Sequence, residues 1–289
     1  MKDVLLELIK KTSTTLPQDV LGAIKKAVEQ EEVGTPARYA MDTILENIRI
    51  AEEKAQPICQ DTGSILFFVK APCGFSETKF IGAAREAVAE ATLMGYLRQN
   101  SVDPISGKNS GNNLGPGSPY IHFEERAGED IDIRLMLKGG GCENCGIQYS
   151  LPDTRIGANR NMEGVKKCIL DAVFQAQGNG CAPGFLGVSI GGDRSSGYLQ
   201  SKEELLRKVD DKNPNPILQE MEDEILEKAN KLGIGPMGFG GKVTLLGCKI
   251  GYLNRLPASY FVTVSYMCWA FRRQGIILDK HLNIKEWLY

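Results

Sequence analysis

No stretch of this 289-residue chain approaches the roughly 18 consecutive apolar residues that a membrane-spanning helix needs, which excludes a helical bilayer anchor. Charge of one sign is also missing: 34 Lys and Arg stand against 36 Asp and Glu, so no field gathers nucleic acid or an anionic surface. Only local basic spots such as Arg272-Arg273 are left to hold a small anion. Histidine is scarce, with His122 and His281 alone, and Cys142-Glu143-Asn144-Cys145 has no second CxxC, so a structural zinc would need remote ligands. A secretory signal is not evident either, because MKDVLLELIKKTSTTLPQDV spaces charges among its leucines where such a signal is uninterrupted. A cytoplasmic location is therefore expected, in which the eight cysteines serve as thiols, metal ligands or core residues rather than disulfides.

What is present reads as a folded domain. Helical periodicity covers roughly 2–10, 17–31, 36–55 and 80–98, and again 162–178 and 214–232, the last stopping at Gly233. SILFFVKA (64–71), DIDIRLMLK (130–138), FLGVSI (185–190), KVTLLGCKIGYL (242–253) and YFVTVSYMCWAF (260–271) read as strands, followed by a polar C-terminal tail. The pattern predicts a mixed α/β fold, with helices packed around a mixed β-sheet, a helix-rich N-terminal third, and one domain over residues 1–289. SGKNSGNNLGPGSPY (106–120) reads as a long loop of the kind that often carries function. Gly233-Ile-Gly235-Pro-Met-Gly238 satisfies GxGxxG on paper, but a helix precedes it where a dinucleotide site needs a strand.

The cysteines carry the question of function. Cys59 sits in PICQDTG (57–63) before a strand, Cys181 in GNGCAPGF between a helix and a strand, and Cys268 near the end of a strand. Cys73, Cys168 and Cys248 stand in settings that suit small core residues. Three thiols at element ends admit either a three-thiol metal site or unliganded loop and core cysteines; the residues alone leave both open. Their wide separation does not match ferredoxin spacing. An iron-sulfur cluster on three thiolates would leave one iron open to an oxygen ligand, and Asp61, two residues after Cys59, would then be placed to handle a proton.

PICQDTG, LKGGGCEN, GNGCAPGFLGVSIGGDRSSG, LGIGPMGFGGK and YMCWAFRR resemble, in order, segments of the iron-sulfur hydro-lyases of the class I fumarase and tartrate dehydratase family. The resemblance is to the N-terminal domain or separate alpha subunit and covers nearly the whole chain. It implies a [4Fe-4S] cluster on Cys59, Cys181 and Cys268 with one iron open to substrate, Asp61 as catalytic acid, and Gln60, Arg98 and the Gly141 amide as substrate contacts. It implies a small dicarboxylate substrate: fumarate and malate first, L-tartrate second, mesaconate third. It also implies a beta subunit supplying a catalytic threonine, an arginine and a lysine, in an α2β2 assembly built on an alpha homodimer. Cys142 and Cys145 stand where many fumarases have a serine-containing turn, and receive no ligand role. A non-catalytic iron-sulfur sensor or a cluster-free scaffold are the competing classes.

Overall fold

The computed structural model describes residues 1–289. In chain order the elements are α1 (Lys2–Thr14), α2 (Gln18–Gln30), α3 (Pro36–Glu53), β1 (Ser64–Ala71), α4 (Glu77–Leu93), β2 (Tyr120–Glu125), β3 (Ile131–Lys138), α5 (Gly140–Asn144), β4 (Ile147–Ser150), α6 (Met162–Ala176), β5 (Gly184–Gly191), α7 (Arg194–Glu204), α8 (Pro216–Asn230), β6 (Leu245–Leu253), β7 (Phe261–Met267), β8 (Arg272–Leu278) and β9 (Ile284–Trp287). The fold is mixed α/β, as the sequence predicts, with two mixed sheets. No helix is long and apolar enough to cross a membrane. The chain divides into two compact units, each discontinuous in sequence: unit 1 is Met1–Gln18, Glu46–Gly140 and Ala270–Tyr289, and unit 2 is Asp19–Leu45 and Gly141–Trp269.

Unit 1 is built on a five-stranded sheet in the order β2-β1-β3-β8-β9, with β1 parallel to β2 and antiparallel to β3. The period of two in β1 and β3 sends Ile65, Phe67, Val69, Ile131, Ile133, Leu135 and Leu137 into one core with Leu5, Leu8 and Ile9 of α1 and Phe80, Ala84, Ala87 and Val88 of α4. Ser76 caps the start of α4 by accepting from Lys79 N–H. The segment read as a polar tail is corrected here: Arg272–Leu278 is an interior strand paired with both β3 and β9. Arg272 and Arg273 are fully buried, so they are not a surface anion spot. The Arg273 guanidinium lies over the Phe271 and Tyr289 rings at 4.4 and 4.5 Å, which substitutes ring faces for water around a buried cation. Tyr120–Glu125, at the end of the expected loop and beyond it, extends the sheet as β2.

Unit 2 holds a four-stranded sheet ordered β4-β7-β5-β6, with β5 parallel to β6 and antiparallel to β7. Leu186, Val188 and Ile190 of β5 share a core with Val165, Ile169 and Val173 of α6 and Leu218, Met221 and Ile225 of α8. The opposite face carries polar contacts to α7: Ser189 of β5 bonds to Gln200, and the hydroxyls of Ser201 and of Ser265 in β7 lie 2.7 Å apart. The helix α7 is not evident from periodicity; its start is set by Asp193, which accepts from the Ser195 and Ser196 N–H groups in a capping box. Cys168 and Cys248 are core residues, in line with the sequence reading, whereas Cys73 is exposed.

Candidate active site

In unit 1, PICQDTG is the loop between α3 and β1. Asn47 anchors its entry by donating to Ile58 O at 2.9 Å, and Ile58 N–H donates to Ser13 O at 3.0 Å. The half-buried Cys59 and the exposed Gln60 and Arg98 line one cavity of about 660 Å³ with Pro57, Leu97 and Asn100. Three of the residues singled out in the sequence are therefore brought together by this unit alone.

Asp61 turns toward the end of β3, where its Oδ2 accepts from Gly140 N–H at 2.6 Å. That bond fixes the orientation of the carboxyl group. Gly139 makes the approach possible. A Cβ at that position would stand 2.9 Å from Asp61 Oδ2 and 3.7 Å from Arg272 Nη2, so a carboxylate and a buried guanidinium flank the same backbone carbon. Arg272 donates through Nε to Ala270 O at 3.3 Å, while its Nη1 makes no hydrogen bond.

Unit 2 carries Cys181 and Cys268. Cys181 follows a short 3-10 turn, is exposed, and adopts φ 51°, ψ 59°. A non-glycine residue in this left-handed region costs about 1 kcal/mol or more, an observed strain of the kind that accumulates at functional positions. Cys268 lies just past the end of β7 and is buried. Its N–H donates to Cys142 Sγ at 3.3 Å, and Trp269 N–H donates to Cys181 O at 3.4 Å, tying the two segments together. The Tyr266 ring is wedged against the Cα atoms of Gly180 and Gly184, where added Cβ atoms would stand 2.4 and 2.3 Å from it. Burial first, and then the charges that Cys268, Cys142, Cys145 and Cys181 would carry, hold the Tyr266 phenol protonated well beyond its usual range. Burial likewise pushes the Cys168 thiol up to about 12, with Asp153 and Asp171 adding to it, so this core cysteine is not a nucleophile.

Gly141 is exposed and lines a second cavity, of about 450 Å³, with Asn144, Cys145, Gln175 and Asn179. No group of three or more His, Cys, Asp or Glu side chains converges as one metal ion demands. A polynuclear cluster makes a different requirement, because each thiolate then sits on a separate iron. The sequence reading missed four residues that matter here: Thr62, Asn100 and Asn113, which hold the backbone around Arg98, and Arg272. The first three are ordinary loop residues in the sequence, and Arg272 reads as surface charge.

The family described as fumarate hydratase (Fumerase) matches residues 2–277. A Geobacillus stearothermophilus protein named "Putative fumarate hydratase class I" is 54% identical over 287 residues, 98% of this chain and 56% of that protein, so the chain spans little more than half its length. A Methanocaldococcus jannaschii protein named "Putative L(+)-tartrate dehydratase subunit alpha" is 34% identical over 98% of this chain and 99% of its own. The L(+)-tartrate dehydratase subunit alpha of Escherichia coli O157:H7 is 32% identical over 95% and 89%. On that coverage and identity, the chain belongs to the class I fumarate hydratase family.

Proposed function

We propose that this chain is the alpha-type part of an iron-sulfur hydro-lyase that adds water reversibly to fumarate to give L-malate. The observation that carries the reading is the cavity shared by Cys59, Gln60 and Arg98, which sets a thiol beside a side chain suited to bidentate carboxylate binding. Cys59, Cys181 and Cys268 would hold a [4Fe-4S] cluster; soft thiolates fit it, and the left-handed Cys181 and the link between its segment and that of Cys268 support two of the three. With three protein ligands such a cluster supplies an open iron, a Lewis acid for a substrate oxygen.

The chain's own residues do the rest. Arg98 grips one substrate carboxylate, Gln60 hydrogen-bonds a substrate oxygen, and Gly141 offers its amide. Asp61, held by Gly140 N–H, moves the proton as general acid in one direction and base in the other. Residues 1–289 act as one functional domain in this reading. A beta-type subunit completes the active site in an α2β2, cytoplasmic enzyme; support comes from the relatives named as alpha subunits, which this chain matches over 99% and 89% of their length.

The higher identity to the protein named as a fumarate hydratase favours fumarate, and the names of the alpha-subunit relatives keep L-tartrate dehydration as the second reading. Coexpression with a beta-type partner, followed by anaerobic assay on fumarate, L-tartrate and mesaconate, tests both. Fumarate turnover is expected, and Asp61→Asn is expected to keep the cluster spectrum while losing at least about 100-fold in kcat, the scale of a lost general acid. Full activity in Asp61→Asn removes Asp61 from the mechanism.

A further inference from the structure

The backbone of Arg98 is held far more firmly than an exposed arginine on a loop requires. Its N–H donates to Thr62 Oγ1 at 3.2 Å, and its C=O accepts from Asn113 Nδ2 at 2.6 Å. Thr62 is 1% exposed and Asn113 3% exposed, so two buried polar side chains each form a hydrogen bond with the backbone of one exposed residue. Burying such groups is unfavourable unless every donor and acceptor is used. Here they are. Asn113 Nδ2 also donates to Thr92 Oγ1 at 2.9 Å, while Asn113 Oδ1 accepts from Asn100 N–H at 2.8 Å and Ser101 N–H at 3.2 Å.

The Asn100 amide faces two backbone N–H groups and a hydroxyl, which sets its oxygen toward them. Oδ1 accepts from Thr62 N–H at 3.0 Å, Gly63 N–H at 3.2 Å and the Thr62 hydroxyl at 2.9 Å. The Thr62 hydroxyl thus donates to Asn100 and accepts from Arg98, stitching PICQDTG to the Arg98 segment in both directions. Asn113 comes from the long glycine-rich loop, and its φ of 60° is a conformation that asparagine tolerates better than most residues.

We propose that Thr62 and Asn113 are positioning residues for Arg98, fixing its backbone beside the cavity of Cys59 and Gln60 so that the guanidinium meets a substrate carboxylate without ordering a loop at each binding event. The inference rests on the hydro-lyase reading and adds to it the origin of carboxylate affinity. Preorganisation of this kind acts on substrate binding, since the ordering is completed before substrate arrives.

The test uses the alpha-beta complex with its cluster reconstituted anaerobically. Thr62→Val keeps shape and removes the hydroxyl; Asn113→Gly keeps the left-handed backbone and removes the clamp. Each is expected to raise KM about tenfold, the worth of one to two hydrogen bonds, with kcat and the cluster absorbance little changed. Thr62→Ser is expected to restore KM. In an Arg98→Ala background neither variant adds a further increase, because a residue acting only through Arg98 has nothing left to position.

Hydrogen exchange of residues 97–101, read in the same proteins, is expected to quicken in Thr62→Val and Asn113→Gly while β1 and α4 keep their protection. Unchanged KM in both variants, full additivity with Arg98→Ala, or unchanged exchange at 97–101 overturns the proposal. Should the wild-type complex turn over none of the three dicarboxylates, the hydro-lyase reading falls, and the exchange measurement alone decides whether the clamp exists.

Discussion

Replacing Gly139 by alanine tests the placement of Asp61 at a single carbon. The new Cβ would stand 2.9 Å from Asp61 Oδ2 and 3.3 Å from its Cγ. The obstacle is the tip of a side chain rather than backbone, so the fold accommodates the methyl and the carboxylate moves. In moving, it lengthens or loses the 2.6 Å bond from Gly140 N–H. A hydrogen bond to a charged group contributes about 1.5–3 kcal/mol. At roughly 1.4 kcal/mol per factor of ten, its loss from the reacting geometry lowers kcat roughly 10- to 100-fold. Since the methyl strains no backbone, the melting temperature should fall by no more than about 4 °C, corresponding to roughly 1–2 kcal/mol in a chain of this size. The assay is anaerobic fumarate hydration by the reconstituted complex, with cluster absorbance and melting temperature measured on the same preparation. Wild-type kcat in a well-folded Gly139→Ala protein would refute the role given to the Asp61–Gly140 contact.

Cys181→Ser and Cys268→Ser should each abolish the visible absorbance and paramagnetic signal of the reconstituted cluster; an intact spectrum in either removes that residue from the ligand set. Hydrogen bonds from Ser196 and Ser195 depress the Asp193 carboxyl to about 2. A folded-state value below the unfolded one of about 3.9 means the α7 cap contributes above about pH 4 and is lost as pH falls toward 2. The protection of the Ser195 and Ser196 amides, taken relative to their intrinsic exchange rate at each pH, should fall across that window in the wild type and show no such acid step in Asp193→Asn. Arg207 donates to Glu204, Glu222 and Asp211 at 3.1, 2.8 and 2.9 Å, and the Glu222 side chain is 4% exposed. Arg207→Met leaves that buried carboxylate without its cation and should cost about 3 kcal/mol, read by denaturant titration. A loss below about 1 kcal/mol would mean that the remaining donors to Glu222, Asn213 Nδ2 and Ile250 N–H, suffice.

Much of the secondary structure is legible along the chain, because period is a local property. The alternation of Ile131, Ile133, Leu135 and Leu137 specifies a strand with one apolar face, and that face is the one buried in unit 1. The placement of Cys59, Cys181 and Cys268 at element ends is equally local, and so is the Gln60-Asp61 pair that follows the first thiol. Polar content misled at Arg272-Arg273-Gln274, which reads as a solvated tail and is instead an interior strand. Its burial depends on β3 and β9 on either side and on the rings of Phe271 and Tyr289, none of which a local window weighs.

What the sequence by itself determined is most of the longer helices and strands, the thiols and acid at their ends, and the family they resemble, all of which follow from neighbours in the chain. Only the tertiary structure decided that Thr62, 36 residues from Arg98, accepts from its N–H while Asn113, 15 residues from it, donates to its C=O, and that Gly139 admits the Asp61 carboxylate. Those are long-range hydrogen bonds and a steric allowance, set by how the loops return to one end of a sheet. No periodicity encodes them.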